Sequence, residues 1–513
     1  MIAIDVPGLT ASALTPWGAG GPGDAPPAEL RETHISVLVM LGGMVLKVKK
    51  PVHLSFIDLS TLEQRRIACE REVEFNRRLA PDVYLGVAEL RGPDGEVWEH
   101  AVAMRRLPDD RRLATLLSAG VDVRPELRAI AAAVARLHAQ SEPTPQGDAT
   151  ATPAAVLARW DDGFSTLRRA LNPSDGSVDR LERLVRAYLA GREPAFRTRI
   201  DTGRIRDGHG DLLTEDIFCL PDGPRILDCL EFADDLRVGD VLADVAFLAM
   251  DLERLGRPEL AQVWLDEYRD LTADVWPASL EHHYLAYRAQ VRAKVRALVA
   301  AQGNVRAGAE AWEMLRLAIA HAEAARVRLV LVGGLPGRGK STLAAGLERM
   351  GLGVTLSSDV VRKELAGLSP RTPAGAPLDE GLYGRTWTER TYAELLDRAE
   401  ALLGAGTSVV LDASWASAAW RRRAAAVARR TTSELVELRC TCPTAVAEQR
   451  ILDRRPGDTS DATVSVARAL AARAEPWPTA TVLDTTEPAG EVADRAWRAA
   501  QRATPPSVDG GGA

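Results

Sequence analysis

Residues 328–342 read RLVLVGGLPGRGKST, and this stretch decides the fold of the C-terminal third of the chain. Leu329, Val330, Leu331 and Val332 form an unbroken apolar run, the pattern of a strand covered on both faces. Gly333 and Gly334 end it. From Gly334 the order G-x-x-x-x-G-K-[ST] is complete, and an amphipathic segment, TLAAGLERM, follows at 342–350. Strand, glycine loop and helix in that order make a cradle for phosphate. The glycines let N–H groups turn inward, and the helix N-terminus adds partial positive charge. Gly334, Gly337, Arg338, Gly339, Lys340, Ser341 and Thr342 are the expected nucleotide-holding residues. Lys340 is expected to neutralise the β- and γ-phosphates of ATP, and Ser341 to ligate Mg2+.

Downstream, strand and helix patterns alternate, which argues for a parallel sheet covered by helices. The segment VTLSSDVVRKEL puts Asp359 and Arg362 at the end of the second strand. Ligands gather at that edge of open α/β sheets. A carboxylate there can accept a proton from a hydroxyl, and an arginine one turn later can hold an anion. The rival reading is an N-cap aspartate with a solvated arginine. SVVLDAS offers Asp412 as a strand-end carboxylate near the metal. In VAEQRILDRRPGDTSD, Arg450, Arg454 and Arg455 cluster before a PGD turn. They read as a lid that clamps phosphates or as a solvated helical face.

This region resembles P-loop kinases of the gluconate kinase, polynucleotide kinase and zeta-toxin type. The resemblance rests on GLPGRGKST, SSDVVR and the late Arg-rich segment. It implies Asp359 as the base and Arg362 as a substrate-anion contact.

Upstream the chain changes character. HISVLVML and MVLKVKK are β-rich runs around Gly42-Gly43, a hairpin signal. A helical pattern follows at 62–80, then a second hairpin with a PDG turn at 93–95. Residues 113–200 and 240–325 look mostly helical, with short strands between 205 and 232. GHGDLLTEDIF at 208–218 contains His-x-Asp; RILDCLEF carries Asp228; GDVLAD carries Asp240 and Asp244. These phrases resemble the aminoglycoside phosphotransferase family, relatives of protein kinases with the pattern HGDxxxxN…iD…GDxxxDLA.

The likeness implies Asp211 as the base that meets an acceptor hydroxyl and Asp216 with Asp228 as Mg2+ ligands. Lys47 would hold the α- and β-phosphates, oriented by Glu72. His209 would brace the loop, and Asp240 would hydrogen-bond it. Family members usually carry Asn where this chain has Asp216, and no G-x-G-x-x-G precedes Lys47. Aspartate is still a hard-oxygen ligand. Glu231, Asp235 and Arg237 could line an acceptor pocket, as could Arg288, Arg292 and Lys294, or all could be structural.

The 513 residues suffice for about three domain-sized units. With 46% hydrophobic and 26% charged residues, global disorder is excluded. No run approaches the ~20 apolar residues of a membrane span. The opening MIAIDVPGLTASALTPWGAGG has no basic n-region or long apolar run, so no secretory leader is expected. Five cysteines, odd in number, fit a reducing cytoplasm. Cys440 and Cys442 read as buried neighbours on one strand face rather than metal ligands. The net charge of −7 disfavours nucleic acid as a general partner. From Arg326 to Ala500 there are 24 Lys/Arg and 21 Asp/Glu, a balance of +3 that leaves room for a local basic cleft.

The expected fold is an α+β protein-kinase-like bilobal domain followed by an α/β P-loop domain. The expected units are a flexible segment at 1–28, an N-lobe at 29–107, a helical C-lobe at 108–315, the P-loop kinase domain at 316–500, and a disordered tail at 501–513. The whole resembles bacterial two-part proteins of this order. The expected activity is ATP- and Mg2+-dependent phosphoryl transfer at two nucleotide sites to a hydroxyl of a small metabolite. Two alternatives stand beside it. One domain could be a nucleotide sensor, or the C-terminal domain could be a polynucleotide or toxin-like kinase, with Trp387, Trp415 and Trp420 as stacking platforms beside the basic Arg421–Arg423.

Overall fold

The computed structural model describes residues 3–5, 29–32, 35–54, 57–171, 175–373, 380–454 and 460–502. Most of the expected lead-in at 1–28, the tail from 503 and Arg455 lie outside the described residues. Within the lead-in, Ala3–Asp5 is not irregular: it pairs antiparallel with Glu89–Arg91. Gln501 ends the last helix, Ala489–Gln501.

By internal contacts the chain divides into two units that interleave along the sequence. One comprises 1–156, 199–275 and 287–292; the other comprises 157–198, 276–286 and 293–513. The helices between 157 and 198 therefore count with the P-loop part, although their sequence placed them in the helical C-lobe.

The first unit holds a six-stranded antiparallel sheet. Its order is Ala3–Asp5, Tyr84–Arg91, Val97–Arg105, Met44–Lys49, Ser36–Leu41, Glu29–Glu32. Ser36–Leu41 and Met44–Lys49 form the expected hairpin, and Gly42 turns it with φ 58°. The helix Leu62–Asn76 starts at a reciprocal cap between Thr61 and Gln64. Its buried positions, Arg65, Ala68, Cys69, Glu72, Val73 and Asn76, recur every three or four residues and lie on one face. Cys69 and Val73 pack with Val83, Tyr84, Val102 and Met104. That packing brings Glu72 against Lys47 on the interior strand Met44–Lys49. Two small antiparallel pairs, Ile217–Leu220 with Gly223–Ile226 and Ile205–Asp207 with Val238–Asp240, frame the loops that carry Asp211 and Asp228.

The second unit contains a five-stranded sheet, every pair parallel as expected. Its order is Val354–Ser357, Val409–Asp412, Arg328–Gly333, Glu434–Thr441, Thr481–Asp484. Arg328–Gly333 is central and wholly buried, which its unbroken apolar run requires. Val330, Val332, Val410 and Leu438 pack under the helix Lys340–Arg349 through Leu343 and Leu347. Cys440 and Cys442 are buried, and no group of three or more His, Cys, Asp or Glu among the described residues is placed to hold a metal. The buried Arg192 binds the carbonyl oxygens of Leu403 and Thr432 and the Ser433 hydroxyl, tying the segment before residue 198 into this unit. No described helix is long and apolar enough to cross a membrane.

Candidate active sites

In the second unit the sheet ends place most of the predicted residues, though not Gly334 or Arg338, around one cavity of about 960 Å³. Gly337 and Gly334 have φ 76° and 141°. A Cβ at Gly337 would stand 2.3 Å from the Ala447 carbonyl oxygen, and one at Gly334 would stand 2.7 Å from that of Cys440. No side chain fits either position, so both require glycine. Gly339 starts the helix Lys340–Arg349 at φ 79°. Lys340 crosses the loop, and its Nζ donates to the Leu335 carbonyl at 3.3 Å. The Ser341 hydroxyl donates to Asp412 Oδ2 at 2.6 Å. Burial raises the Asp412 carboxyl above its ordinary pKa, against the pull of Lys340 and Ser341. Serine and carboxylate oxygens are hard donors, so this pair fits Mg2+.

Asp359 also lines the cavity. The rival reading made it a helix cap, but the N-cap of Ser358–Leu365 is Ser357, and Asp359 sits in the first turn. Among the described residues nothing donates a hydrogen bond to its carboxylate. Arg362, one turn on, is buried. It donates to the Leu382 carbonyl at 2.7 Å and lies over the Tyr383 ring, while its Nε has no partner among the described residues. Arg450 and Arg454 line the cavity too. Arg450 donates to the Thr485 carbonyl at 2.8 Å and Arg454 to that of Ala462 at 2.7 Å. Thr342 lines the cavity, but the Arg338 side chain does not: its guanidinium donates to the Cys442 carbonyl at 2.6 Å. Sequence reasoning missed Tyr383 and Tyr392, which also line the wall, beside Arg423 of the Arg421–Arg423 run. No local spacing marks them.

In the first unit Lys47 Nζ lies 2.8 Å from Glu72 Oε1 and 2.6 Å from Asp228 Oδ1. Burial alone would pull Lys47 down, but Asp228 and Glu72 hold it well above its ordinary pKa. A second lysine, Lys49, pairs with Glu72 and, at 2.6 Å, with Glu231. Lys47 and Lys49 share one strand face by the two-residue period, a signal present in MVLKVKK. Glu231 thus serves as a counter-ion to Lys49, and the buried Arg237 pairs with Asp207.

Asp211 and Asp216 lie on the loop after Ile205–Asp207. Burial pushes Asp211 up to about 6, although Arg292 and Arg288 oppose it. Burial, with Asp228 and Asp211 nearby, raises Asp216 well above the carboxylate range. Asp216 and Asp228 offer hard carboxylate oxygens on the same cleft, so the pair fits a divalent cation. A cleft of about 150 Å³ runs from Asp216, Asp228 and Lys47 to apolar Leu38, Met40, Val45, Met104 and Phe218. Asp211 lies outside its lining.

Asp244, rather than Asp240, holds the catalytic-type loop. Its carboxylate accepts from the His209 and Gly210 N–H groups at 2.9 and 2.7 Å, with His138 Nε2 at 3.0 Å. Asp240 instead caps the helix Val241–Arg254 and receives Arg199 at 2.9 and 2.7 Å. His209 is buried, which pushes it down to about 4, and its Nε2 meets the Leu227 carbonyl at 3.0 Å. That is the bracing role expected of it.

A family model described as an AAA domain matches residues 329–477. An uncharacterized protein of Mycobacterium tuberculosis strain H37Rv is 43% identical over 482 residues, covering 93% of this chain and 97% of that protein. The chain belongs to that protein's family. An uncharacterized protein of Mycobacterium bovis matches to the same extent. Among solved structures, an unliganded sugar kinase from Janibacter sp. HTCC2649 is 23% identical, covering 34% of this chain and 93% of its own, with a TM-score of 0.27. Choline kinase from Cryptosporidium parvum Iowa II is 10% identical, covering 59% and 90%, with a TM-score of 0.38. The expected parallel sheet behind the glycine loop is met in the second unit, within the residues that the AAA-domain model matches.

Proposed function

We propose that the chain is an ATP- and Mg2+-dependent phosphotransferase with two nucleotide sites, each serving a hydroxyl of a small metabolite such as a sugar or aminosugar. The observation that carries this reading is the shared cavity of Lys340, Ser341, Asp412 and Asp359. A phosphate-neutralising lysine, a hard-oxygen pair and an uncommitted carboxylate stand together there. Bound Mg2+ would supply charge neutralisation on the phosphates, held by Ser341 and Asp412 in one site and by Asp216 and Asp228 in the other. Asp359, or Asp211 in the first unit, takes the proton of the acceptor hydroxyl. That oxygen then bonds to the γ-phosphorus, the bond to the bridging oxygen breaks, and ADP leaves. Lys340 and Lys47 offset the negative charge, and Arg362 offers its unpartnered Nε to an anionic group.

The polynucleotide alternative is not favoured, because the three indoles it needs are engaged. Trp415 is buried. Trp387 carries the Arg390 guanidinium 4.7 Å from its ring centroid. Trp420 stacks on Tyr392 at 5.0 Å and has the Arg423 guanidinium 4.3 Å from its ring centroid. The sensor alternative draws on one observation, the direct pairing of Lys47 with Asp228. A metabolite-pool screen with γ-labelled ATP, run on wild type, Lys340→Ala and Asp211→Asn, tests the proposal. Labelled products should fall into two sets, each lost in one variant. Loss of no product in either variant would refute two-site transfer, and loss only in Lys340→Ala would make the first unit a sensor.

A further inference from the structure

Asp228 has a positive φ of 60°. A residue with a Cβ rarely stays there unless its surroundings hold it. Two side chains do so. The Asp228 N–H donates to the Tyr84 hydroxyl at 3.2 Å. The next residue is held at its backbone by Asn76. The Cys229 N–H donates to Asn76 Oδ1 at 2.9 Å, and Asn76 Nδ2 lies 3.5 Å from the Cys229 carbonyl oxygen and 2.9 Å from that of Glu72. Tyr84 and Asn76 are fully buried, and neither touches the 150 Å³ cleft. Asn76 sits one helical turn beyond Glu72, so one helix presents both the partner of Lys47 and the anchor of the Asp228 loop.

We propose that Tyr84 and Asn76 are positioning residues that hold the Asp228 backbone in its left-handed conformation and so fix where its carboxylate meets Lys47 and a nucleotide-bound divalent cation. This rests on the proposed nucleotide site of the first unit. Without the clamps the loop relaxes toward ordinary φ, and the carboxylate swings away from Lys47, now 2.6 Å distant. Nucleotide contacts made by other groups are untouched. The effect therefore falls on the metal-dependent part of binding.

The test uses the full chain carrying Lys340→Ala, so that the P-loop site is silent. A non-hydrolysable ATP analogue is titrated calorimetrically with Mg2+ and in EDTA. Adding Tyr84→Phe keeps the ring packing and removes only the hydroxyl. It should leave the affinity in EDTA within about twofold of the Lys340→Ala parent and cut the Mg2+-supported gain at least fivefold. Asn76→Ala should do the same, and thermal unfolding in EDTA checks that both variants fold. An unchanged Mg2+ gain in folded variants overturns the inference while leaving the two-site proposal intact. An equal loss in EDTA overturns it too, since that marks packing rather than positioning. If the parent shows no Mg2+-supported binding, both fall.

Discussion

Asp211 is half-buried, and its carboxyl is pushed up to about 6. A base must be ionised to accept a proton, so transfer by the first unit should rise between pH 5 and 7 with a midpoint near 6. Rate against pH in a Lys340→Ala background checks this. Asp211→Asn should lower that rate about 10²–10⁴-fold while nucleotide binding persists. A flat profile would remove Asp211 from the role of base. The residues that sequence revealed best are those whose chemistry depends on near neighbours. Lys340 and Ser341 follow from a spacing of a few residues. Asp244 was harder. Both it and Asp240 lie in GDVLAD, and only the fold shows that Arg199, 41 positions away from Asp240, takes that carboxylate.

At the scale of elements, strand Met44–Lys49 and helix Leu62–Asn76 are joined through Glu72, which is 1% exposed and paired with two lysines. Glu72→Gln leaves Lys47 with Asp228 and Lys49 with Glu231, so only its own charge-assisted contacts are lost. It should cost about 1–3 kcal/mol in denaturant unfolding. A loss below 1 kcal/mol would mean that water reaches the lysines.

Helix Ala278–Ala301 offers a pH test in the other unit. Its His283 stacks on Tyr188 at 4.7 Å, and burial pushes it down to about 3. The unfolded chain, with histidine near 6.5, binds that proton more readily than the folded one. Stability from this group is complete above pH 6.5 and is lost as pH falls from there toward 3. The thermal midpoint should drop across that window, and His283→Phe should flatten the drop. Helix and hairpin periods were legible throughout because burial on one face leaves a pattern of two or of three to four residues. The second lysine was equally legible, because Lys47 and Lys49 obey the strand period.

For the whole molecule, local order told the kind of each part but not the grouping of its helices. The contacts of 157–198 lie with the P-loop unit, through Arg192 among others, and a polar bond spanning 211 residues leaves no local trace. Two lysine-centred sites are expected to take nucleotide independently. Calorimetric titration of the full chain with a non-hydrolysable ATP analogue and Mg2+ measures this most directly. Two equivalents should bind per chain, falling to one in Lys340→Ala and to one in Lys47→Ala. A single equivalent that survives Lys340→Ala, or no binding at all, would contradict it.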